Sequence, residues 1–175
     1  MSFATDYLAQ LEGFAAAVRL PRVRALHLPP VRPVHDNRGE FCALELEDGS
    51  IGLSYVLLGD TLVRLHAGID HLGLAGADPL TVARRYGGDG GHGKTLGFAA
   101  ANALTRCLFD RAGYRPGDAT DSIGQLDPGP GDHVGMIGLF TPLVGLILAT
   151  GARLTVLELR ADLAGDREGY RVTLD

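Results

Sequence analysis

Apolar residues near the amino end fall at Tyr7, Leu8, Leu11, Phe14, Ala15 and Val18. That spacing places them on one face of an α-helix, with Thr5 or Asp6 positioned to cap it and Pro21 to end it. From Arg22 to Leu28 the pattern changes to that of a short strand. Pro29, Pro30 and Pro33 then break the chain. Two β-rich runs, Phe41 to Glu47 and Ser50 to Leu57, flank Asp48-Gly49, a dipeptide that tolerates the positive φ of a tight hairpin. Asp60-Thr61 predicts the start of a helix through Leu62, Leu65 and Ile69. Asp78-Pro79 is an N-cap followed by proline at the first helical position, and its helix runs to about Tyr86. Glycines then crowd together at 87, 88, 90, 91, 93 and 97. Thr95 to Ala112 predicts a long helix rich in Ala and Leu, stopped by Gly113.

Residues 115–131 are polar and dense in Gly, Pro and Asp, which predicts a linker. Beyond it, Asp132 to Leu139 reads as a buried strand. Thr141-Pro142, a cap followed by proline, begins a helix that reaches Thr150, with Gly151 as its C′ residue, and Leu154 to Leu159 reads as a second apolar strand. Strand, helix and strand in this order predict a parallel βαβ unit. Tyr170 to Leu174 adds a further strand. The pattern divides the chain into an α+β domain over 1–114, a linker over 115–131 and a short α/β segment over 132–175.

Composition narrows the function. Apolar residues make up 46% of the chain, enough for a packed core. The formal net charge is −5, which argues against a nucleic-acid partner held by a bulk basic surface. The most apolar stretch, Val134 to Thr150, is interrupted by Gly135, Gly138, Pro142 and Gly145, so no membrane span is expected. The opening residues lack the basic-then-apolar pattern of a Sec signal, and the expected location is the cytoplasm. There, Cys42 and Cys107 read as reduced core thiols. Lys94 is the only lysine and the other basic residues are arginine; with the abundant Gly and Ala this suggests a GC-rich coding sequence. The 25 glycines are about twice the usual share and require local explanations.

Two segments carry candidate chemistry. Gly88-Asp89-Gly90-Gly91-His92-Gly93-Lys94-Thr95 satisfies the phosphate-loop pattern G-x-x-x-x-G-K-[ST]. Gly93, Lys94 and Thr95 are therefore candidate phosphate or anion contacts, and a nucleotide- or phosphate-using enzyme is one functional reading. The loop follows a predicted helix, whereas a phosphate loop follows a strand, and a plain connection between two helices is the competing reading. The second segment is the turn from Gly135 to Pro142. Small residues there let the strand end approach the helix start, whose dipole favours an anion near Thr141. Glu158, near the end of the next strand, is placed either to accept hydroxyls, as an acid does in dinucleotide folds, or to act as a plain strand-end carboxylate.

His35 with Asp36, His66 with Asp70 and His71, His92, and Asp132 with His133 are unpatterned as metal ligands. His66, His71 and His92 remain candidates beside ordinary surface or core-edge roles. No catalytic constellation follows from residue order.

Thr95 to Leu104 (TLGFAAANAL) resembles the G-hydrophobic-A-x-x-N-A helix of the heavy-metal-chelation family. Asp132 to Val144 (DHVGMIGLFTPLV) resembles its GD-x-VGMVG-x-F-x-PL turn, and Leu154 to Glu158 its V-x-V-x-E strand. The resemblance implies an enolase N-terminal-like α+β domain followed by a Rossmann-like α/β segment, here short and incomplete. It implies a divalent or heavy metal ion, or a small anionic molecule, bound in a cleft between the halves. Asn102, Gly135, Gly138, Phe140, Thr141 and Glu158 would contact that ligand, with the 88–95 loop at the rim. An incomplete parallel sheet exposes an edge and an apolar face, so a homo-oligomer or a partner that completes the sheet is expected, and a purely structural subunit is a third reading.

Overall fold

A computed structural model describes residues 2–31, 40–88, 90–117, 123 and 126–174. The chain is mixed α/β, with five α-helices and two sheets among these residues. It divides into two compact units, Met1–Arg115 and Pro116–Asp175.

In the first unit, α1 (Phe3–Ala15) begins earlier than its apolar spacing suggests. Ser2, not Thr5 or Asp6, is the cap, its Oγ accepting the Thr5 N–H at 3.3 Å. The strands β1 (Val23–His27), β2 (Phe41–Leu46) and β3 (Ile51–Tyr55) form an antiparallel sheet in that order. The β2–β3 hairpin closes at Asp48-Gly49, with Gly49 at φ 85° and the Ser50 N–H bonded to Asp48 Oδ1 at 3.0 Å. Strand alternation sends Cys42, Leu44 and Leu46 inward and leaves Ile51, Leu53 and Tyr55 exposed. The helix α2 (Thr61–Gly68) runs into a 3₁₀ turn at Ile69–His71. Asp78 caps α3 (Pro79–Ala83) through Oδ1 and the Leu80 N–H, 3.1 Å apart, and a 3₁₀ turn at Arg84–Gly87 follows.

The long helix α4 (Gly91–Arg111) is the spine of the unit. It starts four residues before the predicted Thr95, because the glycine cluster enters the helix instead of remaining a loop. Leu96, Ala99, Ala100, Ala103, Leu104 and Cys107 on its inner face join the core with β2, α2 and α3. Two glycines permit the close packing. A Cβ at Gly52 would meet the backbone of Ala99 and Ala103 in α4, and one at Gly97 would meet the backbone at Tyr86.

The second unit holds β4 (His133–Ile137), α5 (Thr141–Ala149), β5 (Arg153–Glu158), β6 (Gly165–Arg167) and β7 (Tyr170–Leu174). The sheet order is β4-β5-β7-β6, with the first three strands parallel and β6 antiparallel to β7. β6 escapes sequence reading because Gly-Asp-Arg has no apolar pattern. Val144 and Ile147 of α5 pack against Met136, Leu154, Val156 and Val172 on one sheet face. Ile137 and Leu157, on the opposite face, are exposed. No described helix is long and apolar enough to cross a membrane.

Candidate functional site

At the carboxyl end of β4 the chain turns through Gly138, at φ 81°, a conformation that costs glycine little and other residues more. The Gly138 N–H donates to the Leu157 carbonyl at 2.8 Å. Glu158 then pins the turn. Its Oε2 accepts the Leu139 N–H at 3.0 Å, while Oε1 accepts those of Leu159 at 2.9 Å and Arg160 at 3.2 Å. The Leu139 N–H, together with that of Arg160, holds this carboxyl below the usual carboxylate range. Glu158 is thus a clamp between β5 and the β4–α5 turn, with one partner on Oε2 among the described residues and room there for a second donor.

Phe140, not Thr141, occupies the N-cap position of α5, and its side chain makes no capping bond. It could not do so, because a phenyl ring offers no acceptor to the first N–H groups. Thr141 is the first helical residue, is exposed, and makes no hydrogen bond through its N–H or hydroxyl among the described residues. Gly135 lines a small apolar cavity of about 270 Å³ with Ile123, Leu126, Val134, Leu143 and Ile147.

Asn102 lies in the first unit, on α4. Its Nδ2 donates to the Leu53 carbonyl at 2.9 Å, and its Oδ1 accepts the Tyr7 hydroxyl at 3.3 Å. Tyr7 also reaches Thr105 Oγ1 at 2.7 Å. Two turns earlier, Thr95 Oγ1 donates to the Tyr55 carbonyl at 3.3 Å. Two α4 side chains therefore satisfy carbonyls on the outer edge of β3. This use of Asn102 was hidden in the sequence, since Tyr7 reads there only as part of an apolar stripe.

The glycine-rich motif does not follow a strand. Gly88 comes after the 3₁₀ turn, Asp89 lies outside the described residues, and Gly91 to Thr95 already form the first turns of α4. Lys94 is exposed.

His66 Nε2 donates to the Pro29 carbonyl at 2.7 Å. His71 is exposed in its 3₁₀ turn. His92, the second residue of α4, lies close enough to Asp60 to help hold that carboxyl low, an effect dominated by the Arg64 bond. His133 Nε2 lies 2.8 Å from Thr155 Oγ1. His35 and Asp36 fall outside the described residues. Among the described residues no three His, Cys, Asp or Glu side chains gather as a metal-holding group. Cys42 and Cys107 are buried free thiols. Burial, reinforced by the neighbouring Asp48 carboxylate, pushes Cys107 up to about 11, so the soft thiolate form is suppressed.

Between α1 and α4 lies an apolar groove of about 690 Å³, lined by Tyr7, Leu11, Phe14, Val18, Leu108 and Tyr114 among others. The apolar stripe of α1 announced its own side of this groove but not the facing one.

No family model and no curated protein matches the chain. A solved structure is similar to it: a protein of unknown function from the DUF364 family of Desulfitobacterium hafniense DCB-2. The TM-score is 0.56 and the identity 15%, covering 95% of this chain and 62% of that one. The chain thus spans less than two thirds of the length of that neighbour. At this identity the likeness concerns the fold, and it runs through both units.

Proposed function

We propose that this chain is a small-molecule-binding protein of the heavy-metal-chelation type, with an enolase N-terminal-like first unit and a Rossmann-like second unit. The ligand site is the carboxyl end of β4 and β5. The observation that carries this reading is the open head of α5. Among the described residues Thr141 keeps its N–H and hydroxyl free at a helix start with no acidic residue in its first turn. Glu158 beside it fixes the turn and retains acceptor capacity on Oε2. In open α/β sheets, ligands bind in the crevice beyond the carboxyl ends of the strands. A small molecule offering an anionic oxygen to Thr141 and a donor, or a bound metal ion, to Glu158 fits this arrangement. Gly138 and Phe140 shape its floor.

Thr141→Glu tests the reading. A carboxylate at the first helical position favours the helix by about 0.3–1 kcal/mol. The same carboxylate repels an anion. In a thermal-shift screen with nucleotides, small dicarboxylates and divalent metals, native protein is expected to be stabilised by an anionic member. The T141E variant should melt no lower than native and lose that response. A native protein indifferent to every member sinks the reading.

A structural subunit, completed by a second copy or a partner, is the other reading. The exposed apolar positions Ile137 and Leu157 on the sheet face opposite α5 favour it.

A further inference from the structure

We propose that the amino ends of α2 and α4 together bind a phosphate oxyanion, free or as a phosphate monoester. The two helices start side by side. Thr61, the first residue of α2, places Oγ1 3.1 Å from where a Cβ would sit on Gly91, the first residue of α4. Neither helix receives a side-chain cap. The N–H groups of Gly91, His92 and Gly93 have no partner among the described residues, so donors at the positive end of a 21-residue helix stand open.

Thr61 supplies the independent sign of a ligand. The residue is only 2% exposed, yet its hydroxyl makes no hydrogen bond among the described residues. No fully buried side-chain polar atom is left unsatisfied there. The hydroxyl must therefore be the part of Thr61 that reaches the surface, and it does so beside Gly91. A polar group so placed gains most by bonding an incoming acceptor.

The charge around it suits an anion. Lys94, one turn into α4, makes no ion pair among the described residues, and His92 stands in the first turn. Among the described residues the nearby acid is Asp60, held by Arg64 at 2.6 Å. A Cβ at Gly93 would meet nothing within 4 Å, so that backbone is open to approach. Thr95, which would hold the metal in a nucleotide loop, spends its hydroxyl on the Tyr55 carbonyl. The geometry therefore fits an oxyanion better than a metal-bound triphosphate.

The test is an amide NMR titration of the full chain with inorganic phosphate at constant ionic strength. Saturable shifts are expected at Gly91, His92, Gly93 and Leu62. Thr61→Val, which keeps shape and removes the hydroxyl, should weaken binding about tenfold. Thr61→Ser should restore it, and Lys94→Ala, at an exposed position, should weaken it several-fold. A parallel titration with glycerol phosphate identifies the source: tighter binding names an esterified ligand, equal binding free phosphate. Shifts that never saturate, or that are the same in native, T61V and K94A proteins, mean an adventitious ion only and overturn the proposal. All the residues lie in the first unit, so T141E should leave this titration unchanged, and the two readings fail separately.

Discussion

Asn102 and Thr95 converge on β3 because that strand is an edge. Its outward carbonyls need donors, and α4 brings two of them, Nδ2 of Asn102 to Leu53 and Oγ1 of Thr95 to Tyr55. The residue scale also explains two glycines. Gly52 and Gly97 are small because backbone lies where their side chains would be. Neither requirement could be read from neighbours in sequence, since both facing segments are remote. Cys107 carries the clearest prediction at this scale. Its pKa is raised from about 9 to about 11, chiefly by burial and then by Asp48. At pH 8 the thiol stays protonated, so native protein should resist alkylation while urea-unfolded protein labels at both cysteines, as mass spectrometry would show. The linked stability is present below the unfolded-state value of about 9 and is lost as pH rises toward about 11. The urea midpoint is therefore expected to fall across that alkaline window. Rapid labelling of the native thiol would contradict this.

The elements most legible in the sequence are those with strong local chemistry. The Asp48-Gly49 hairpin and the Asp78-Pro79 helix start both form where turn and cap residues place them. The three-residue β6 is not legible because pairing with β7, not its own pattern, makes it a strand. At α1 three residues, Ser2, Thr5 and Asp6, have capping chemistry and the sequence does not choose among them, whereas at α5 the cap position falls on Phe140, one residue before the Thr141 that could fill it. The β4–α5 turn depends on Glu158, whose clamp across 19 residues no spacing rule anticipates. Glu158→Gln leaves one oxygen to serve three N–H donors. Because the native carboxyl is held low by those donors, its contribution is present above the unfolded value near 4.5 and is lost as pH falls through the lower folded value. Native protein should lose stability on acidification in that range, and E158Q should start lower at pH 7 and lose less. Denaturant midpoints at pH 7 and pH 3 check this; identical pH profiles would remove the clamp.

At the scale of the whole molecule, each of the two units has its own core among the described residues. Among the described residues, eighteen buried residues form the first and seven the second. The smaller core serves a sheet with one helical layer, and its opposite face exposes Ile137 and Leu157. The first sheet likewise exposes Phe41, Ile51 and Leu53. Contiguous apolar surface on sheet faces favours association. Sizing with light scattering is expected to give an assembly larger than one chain, and a monomer at micromolar concentration would count against it.

The sequence by itself determined the periodic helices, the hairpin, the strand–helix–strand order and the two glycine-rich segments, because those signals act within a few residues. Tertiary structure decided what the candidate residues do. It committed Asn102 to an edge strand and Glu158 to a turn, and it set Thr61 beside Gly91 across thirty positions of chain. Hydrogen-bond partners are chosen by packing, and packing brings together residues that no local pattern connects.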